Sequence, residues 1–144
     1  ISQIFVVESP LSGLALLASI GYYSPLCAAH ALAGSTIGAC TAFAVGAPLE
    51  EIQAGLWGFN SALTSLAVSV FFVHSPQVIV LSAGGATATA VLFGGMKVAA
   101  ATAFGVPALT LPFCIIASCC HLLHGAFPGL VLAQSPHSPE QNTP

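Results

Sequence analysis

PQVIVLSAGGATATAVLFGGMKVAAATAF, residues 76–104, holds a single charged side chain, Lys97, and that lysine is the only Lys or Arg in 144 residues. A helix needs roughly 20 apolar residues to cross about 30 Å of hydrocarbon, and this stretch exceeds that length. Outward from it, residues 9–49, 52–96 and 98–139 contain no Asp, Glu, Lys or Arg; the remaining charges are Glu8, Glu50, Glu51 and Glu140. Water-soluble domains carry about a quarter of their residues as charged side chains. Here the fraction is 3% and the mean hydropathy is +0.97. The composition predicts an all-α chain embedded in a lipid bilayer and excludes a free soluble enzyme. A net charge of −3 with one cation leaves no basic patch for phosphate, so nucleic acid is excluded as a partner. No signal peptide opens the chain, and residue 1 is Ile, which favours a fragment of a longer protein.

Prolines divide the apolar sequence, because proline is disfavoured inside a helix and favoured in its first turn. They predict five helical spans: Pro10–Tyr23, Pro25–Val45, Pro48–Val73, Pro76–Phe104 and Leu109–Leu123. Three starts carry a capping serine: Ser9-Pro10, Ser24-Pro25 and Ser75-Pro76. Gly34 and Gly38 form a GxxxG, and Gly84, Gly85, Gly94 and Gly95 predict further close helix contacts. Residues 1–133 therefore read as one membrane domain. Residues 134–144 change to a Pro/Ser-rich polar sequence and read as a disordered tail.

Three stretches stand out. APLEEIQAGLWGFNSALTSL, residues 47–66, begins with Glu50 and Glu51, where negative charge suits a helix N-terminus, and is then broken at Gly55 and Gly58. It fits a re-entrant element or a kinked helix equally well. VPALTLPFC, residues 106–114, sets Thr110 between Pro107 and Pro112, which prevent a regular helix and free carbonyls. SQIFVVESPLSG, residues 2–13, places the amide of Gln3 among apolar neighbours, where it needs partners.

Other polar residues carry weaker signals. The five cysteines are odd in number and lack a CxxC, so they read as small core residues rather than a disulfide framework. His121 and His124 share a helical face but lack the third converging ligand that zinc needs, so no metal is expected. His30 reads as a hydrogen-bonded packing residue. There is no Asp, and no arrangement of nucleophile and base or of paired carboxylates indicates catalysis or a cofactor.

Taken together, Gln3-Ile4, SPLSG at 9–13, GLWGFNSAL at 55–63 and VPALTLPF at 106–113 resemble the urea transporter family. HALAGSTIG at 30–38 and APLEEIQAGLWGFN at 47–60 look most like its C-terminal half, and the likeness covers about residues 1–125. The resemblance implies one half of an inverted-repeat transporter: five transmembrane helices plus a half-spanning pore helix. It also implies an opposing half-domain, missing here or supplied by a second copy, and a homotrimer of complete protomers in the plasma membrane. Urea is the implied substrate. By the same resemblance, Phe59 and Leu63 match slot-forming residues, Gln3 and Ile4 match the pore helix, and Thr110 matches the hydroxyl near the pore centre. Where a half often has an aromatic three residues after its Gln, this chain has Val6, with Phe5 beside it. Two alternatives stay open: a helical membrane scaffold without a pore, and a channel for another small neutral solute such as ammonia, an amide or water.

Overall fold

A computed structural model describes residues 1–5 and 9–144. The described residues form six α-helices: α1 (Pro10–Tyr23), α2 (Pro25–Ala44), α3 (Leu49–Gln53), α4 (Gly58–Phe71), α5 (Pro76–Phe104) and α6 (Leu111–Leu122). Short 3-10 turns lie at Ser2–Phe5 and Leu123–Gly125. Among the described residues there is no β-strand, only an isolated antiparallel pairing of Phe72 with Leu132. The all-α expectation holds. Two helices, α2 and α5, are long and apolar enough to cross a membrane, whereas α1, α4 and α6 are shorter, at 14, 14 and 12 residues.

Helix starts follow the serine-proline pairs. Ser9, Ser24 and Ser75 are extended, and their hydroxyls accept from the backbone N–H of Ser12, Cys27 and Val78, satisfying a donor that a helix start leaves free. The third expected span is not one helix. Gly55 adopts φ +79°, a left-handed conformation that glycine reaches without a Cβ clash, and this ends the α3 region before α4 begins.

Helix α4 is the centre of the bundle and packs against α2, α5 and α6. Its inward faces are polar. Asn60, Ser61, Thr64, Ser65 and Ser69 are all buried, and each hydroxyl has a partner. Ser61 donates to the Ala86 carbonyl at 2.8 Å, Thr64 and Thr89 share a hydrogen bond at 2.8 Å, and Ser65 and Ser82 share one at 2.6 Å. His30 extends the last pair through a 3.0 Å bond between its Nδ1 and Ser82. A buried hydroxyl left without a partner is costly, so these bonds hold α4 to its neighbours.

Small residues permit that proximity. A Cβ on Gly34 would stand 2.6 Å from Ser65 Cβ and 2.7 Å from the Ser61 carbonyl oxygen, and one on Gly38 would stand 2.6 Å from the Trp57 carbonyl oxygen. The GxxxG is thus the contact surface of α2 on α4. Gly85 and Gly94 also face close neighbours, but Gly84 and Gly95 face nothing within 4 Å, which corrects the expectation for those two. The cysteines divide as well: Cys27 and Cys120 are buried, whereas Cys40, Cys114 and Cys119 are exposed, and all five are free.

Residues 134–144 return to the bundle. After Val131 and Ala133 pair with Val73 and Phe71, Asn142 donates to the carbonyls of Val70 and Phe72 at 2.7 and 3.2 Å. Glu140 meanwhile accepts from the Ser24 hydroxyl and from the Leu26 N–H at the start of α2. The segment closes over the end of the bundle where α4 stops and α2 begins. Its partners are bare helix ends remote in sequence rather than a hydrophobic face.

Candidate functional site

The turn Ser2–Phe5 sets Gln3 and Ile4 in different surroundings. Gln3 is 7% exposed and lines a polar crevice of about 510 Å³ with Ser9, Glu50, Gln53 and Gly55. Its Nε2 is buried without a hydrogen-bond partner among the described residues. Ile4 turns into a cluster built on Trp57, Phe59, Ala90 and Phe93, which Leu63 also joins. Phe59 and Leu63 reach it together because residues four apart share a helical face. Phe59 meets Phe93 edge-on with ring centroids 6.1 Å apart, and Trp57 meets Phe93 at 5.4 Å.

Thr110 is elsewhere. It is exposed at the N-cap of α6, and its hydroxyl makes no capping bond. The carbonyls around it are partnered within the chain: Ala108 accepts from the Leu111 N–H, Leu109 from Asn60 Nδ2, and Thr110 from the Cys114 N–H. The free acceptors expected beside Pro107 and Pro112 are therefore engaged at these three positions. The structure brings Ile4, Phe59 and Leu63 together, with Gln3 in the adjoining turn, but it does not bring Thr110 into their cluster. Val6 lies outside the described residues.

Two elements of this region were not read from the sequence. Lys97 pairs with Glu51, which also accepts from Trp57 Nε1 at 2.8 Å, and Lys97 Nζ stands 5.3 Å from the Trp57 ring centroid. The bond from Lys97, then that from Trp57, holds the Glu51 carboxyl below its ordinary range, against a smaller opposing effect of burial. One cation in an apolar chain demands a counter-charge, and that signal was present. Asn60 is the second, fully buried, with Nδ2 2.9 Å from the Leu109 carbonyl oxygen.

Residues 1–125 match the urea transporter family profile. The chain belongs to the urea transporter family. Among similar proteins, urea transporter 1 of Ovis aries and that of Capra hircus are each 37% identical over 116 residues, and urea transporter 1 of Rattus norvegicus is 34% identical over the same length. The aligned region is 80% of this chain but 30% of each relative. The chain thus spans less than a third of these relatives, consistent with one half of the urea transporter arrangement. The family and the relatives it matches are named for urea transport.

Proposed function

We propose that this chain is one half of a channel-like urea transporter, carrying urea down its gradient through a slot completed by an opposing half-domain. Complete protomers assemble as homotrimers in the plasma membrane. The observation that carries this reading is the convergence of Ile4, Phe59 and Leu63 on one aromatic cluster beside Gln3, with no charged side chain among the four. Urea is flat and neutral. Apolar walls hold its plane while oxygens along the edge replace the water bound to its N–H groups. An ion path or proton relay would instead set charged side chains inside the membrane. In this reading Thr110 supplies a hydroxyl, and the Gln3 side-chain oxygen supplies an acceptor nearer one end.

Burial of Phe59, at 9% exposure, favours a second reading, in which the cluster is packing and the chain is a helical subunit without a pore. Urea flux separates the two. Proteoliposomes holding the chain, alone and with an opposing half, are expected to pass urea saturably only when both halves are present. Absence of flux from a correctly folded, paired sample would refute the transport reading. Equal permeation by a bulkier amide would remove the slot.

A further inference from the structure

Leu109 is the sole non-glycine with positive φ among the described residues, at +48°, and it immediately precedes Thr110. Left-handed backbone suits Gly and is unfavourable for Leu, so a surrounding contact must hold it. Pro107 and Pro112 do not, since each restrains its own φ and its predecessor rather than residue 109. The Leu111 N–H on the Ala108 carbonyl closes the turn locally at 3.2 Å, and the contact that reaches it from another helix is Asn60. It is fully buried on α4, its Nδ2 donates to the Leu109 carbonyl at 2.9 Å across 49 residues of sequence, and its Oδ1 has no partner among the described residues. The amide orientation is fixed chemically, because a carbonyl requires a donor.

We propose that Asn60 is a positioning residue that latches Leu109 in its left-handed turn and thereby sets where the Thr110 hydroxyl points. This rests on the reading of Thr110 as a pore residue. Asn60 adjoins Phe59 in α4, so one helix fixes both the aromatic wall and, through the latch, the hydroxyl on the loop before α6. A rotation of the 109–110 peptide would leave Thr110 on the chain but move its oxygen out of register.

A double-mutant cycle on urea flux tests the latch, with folded protein quantified by size-exclusion chromatography. Thr110→Val alone and Asn60→Leu alone are each expected to slow flux roughly 5- to 150-fold, the range for one hydrogen bond to dehydrated urea lost at the barrier. If Asn60 acts through Thr110, adding Asn60→Leu to Thr110→Val slows flux little further. Fully additive losses would overturn the proposal and make Asn60 a general packing residue. Leu109→Gly is expected to recover part of the flux of the Asn60 variant, because glycine takes the turn without the latch. Failure of that rescue counts against the proposal as well. Should Asn60→Leu fail to fold, Asn60→Ser is carried through the same cycle. Wild-type flux in Thr110→Val would instead sink the pore reading of Thr110 itself, so the two failures are distinguishable.

Discussion

Phe59 sits where two roles make different demands on one ring. Truncation to Ala would remove the edge-on contact with Phe93 and leave a cavity, which costs about 3–5 kcal/mol in a packed core. Loss of flux in that variant would say little. Phe59→Leu retains most of the volume and costs less than about 1.5 kcal/mol, yet it replaces a flat wall with a branched one. We expect Phe59→Leu protein to fold and to discriminate less between urea and a bulkier amide in a paired flux assay; unchanged discrimination would make the ring packing alone. Glu51 gives a smaller effect. Its pairing with Lys97 leaves both side chains 28% exposed, so water screens the attraction, and Glu51→Gln is expected to reduce stability by under about 1 kcal/mol. Thermal unfolding in detergent measures this, and a much larger loss would mean that the pair is more secluded than its exposure indicates.

The junction of α2 and α4 depends on two missing Cβ atoms. Gly34→Ala would press a methyl against Ser61 backbone and Ser65 Cβ, forcing helices apart or bending α4, at a cost of about 1–3 kcal/mol. Gly84→Ala meets open space and should be neutral or slightly stabilising, since alanine is the better helix former. Melting temperatures of the two variants provide the comparison, and equal values would refute the close-contact account. These elements were legible to different degrees for physical reasons. Serine-proline starts and the Gly55 break are local, written in the residues that adopt them. The GxxxG also announced its contact, but Gly84 and Gly95 have the same chemistry and face outward, because only the angle around the helix distinguishes them. The motifs named Ile4, Phe59 and Leu63 one by one and the fold groups them, whereas the Asn60 bond to Leu109 joins residues with no shared local pattern.

At the scale of the whole molecule, the returning segment 131–143 ties together helix ends that the apolar core does not reach. Asn142 occupies carbonyls at the end of α4 while Glu140 occupies donors at the start of α2, so the two side chains link the helices across the same end of the bundle. Burial alone would raise the Glu140 carboxyl, but hydrogen bonds from Ser24 and from the Leu26 N–H outweigh it and hold the pKa at about 2, from an ordinary 4.5. A depressed carboxylate stabilises the closed segment fully above about pH 4.5, and that contribution is lost as pH falls toward and through about 2. Hydrogen exchange reads this directly. After correction for intrinsic rates, protection of the Leu26 amide and of residues 131–143 should decline between pH 4.5 and 2 in the wild-type chain. Glu140→Gln, which keeps an acceptor but has no charge to lose, should show weaker protection that does not change over this window. The internal amides of α5 serve as a reference, since they are bonded within their own helix and should remain protected if the bundle is intact. Protection of the segment that stays constant to pH 2 in the wild type, or that follows the same pH course in Glu140→Gln, would show that Asn142 and the pairing at Phe72 hold the closure without the carboxylate.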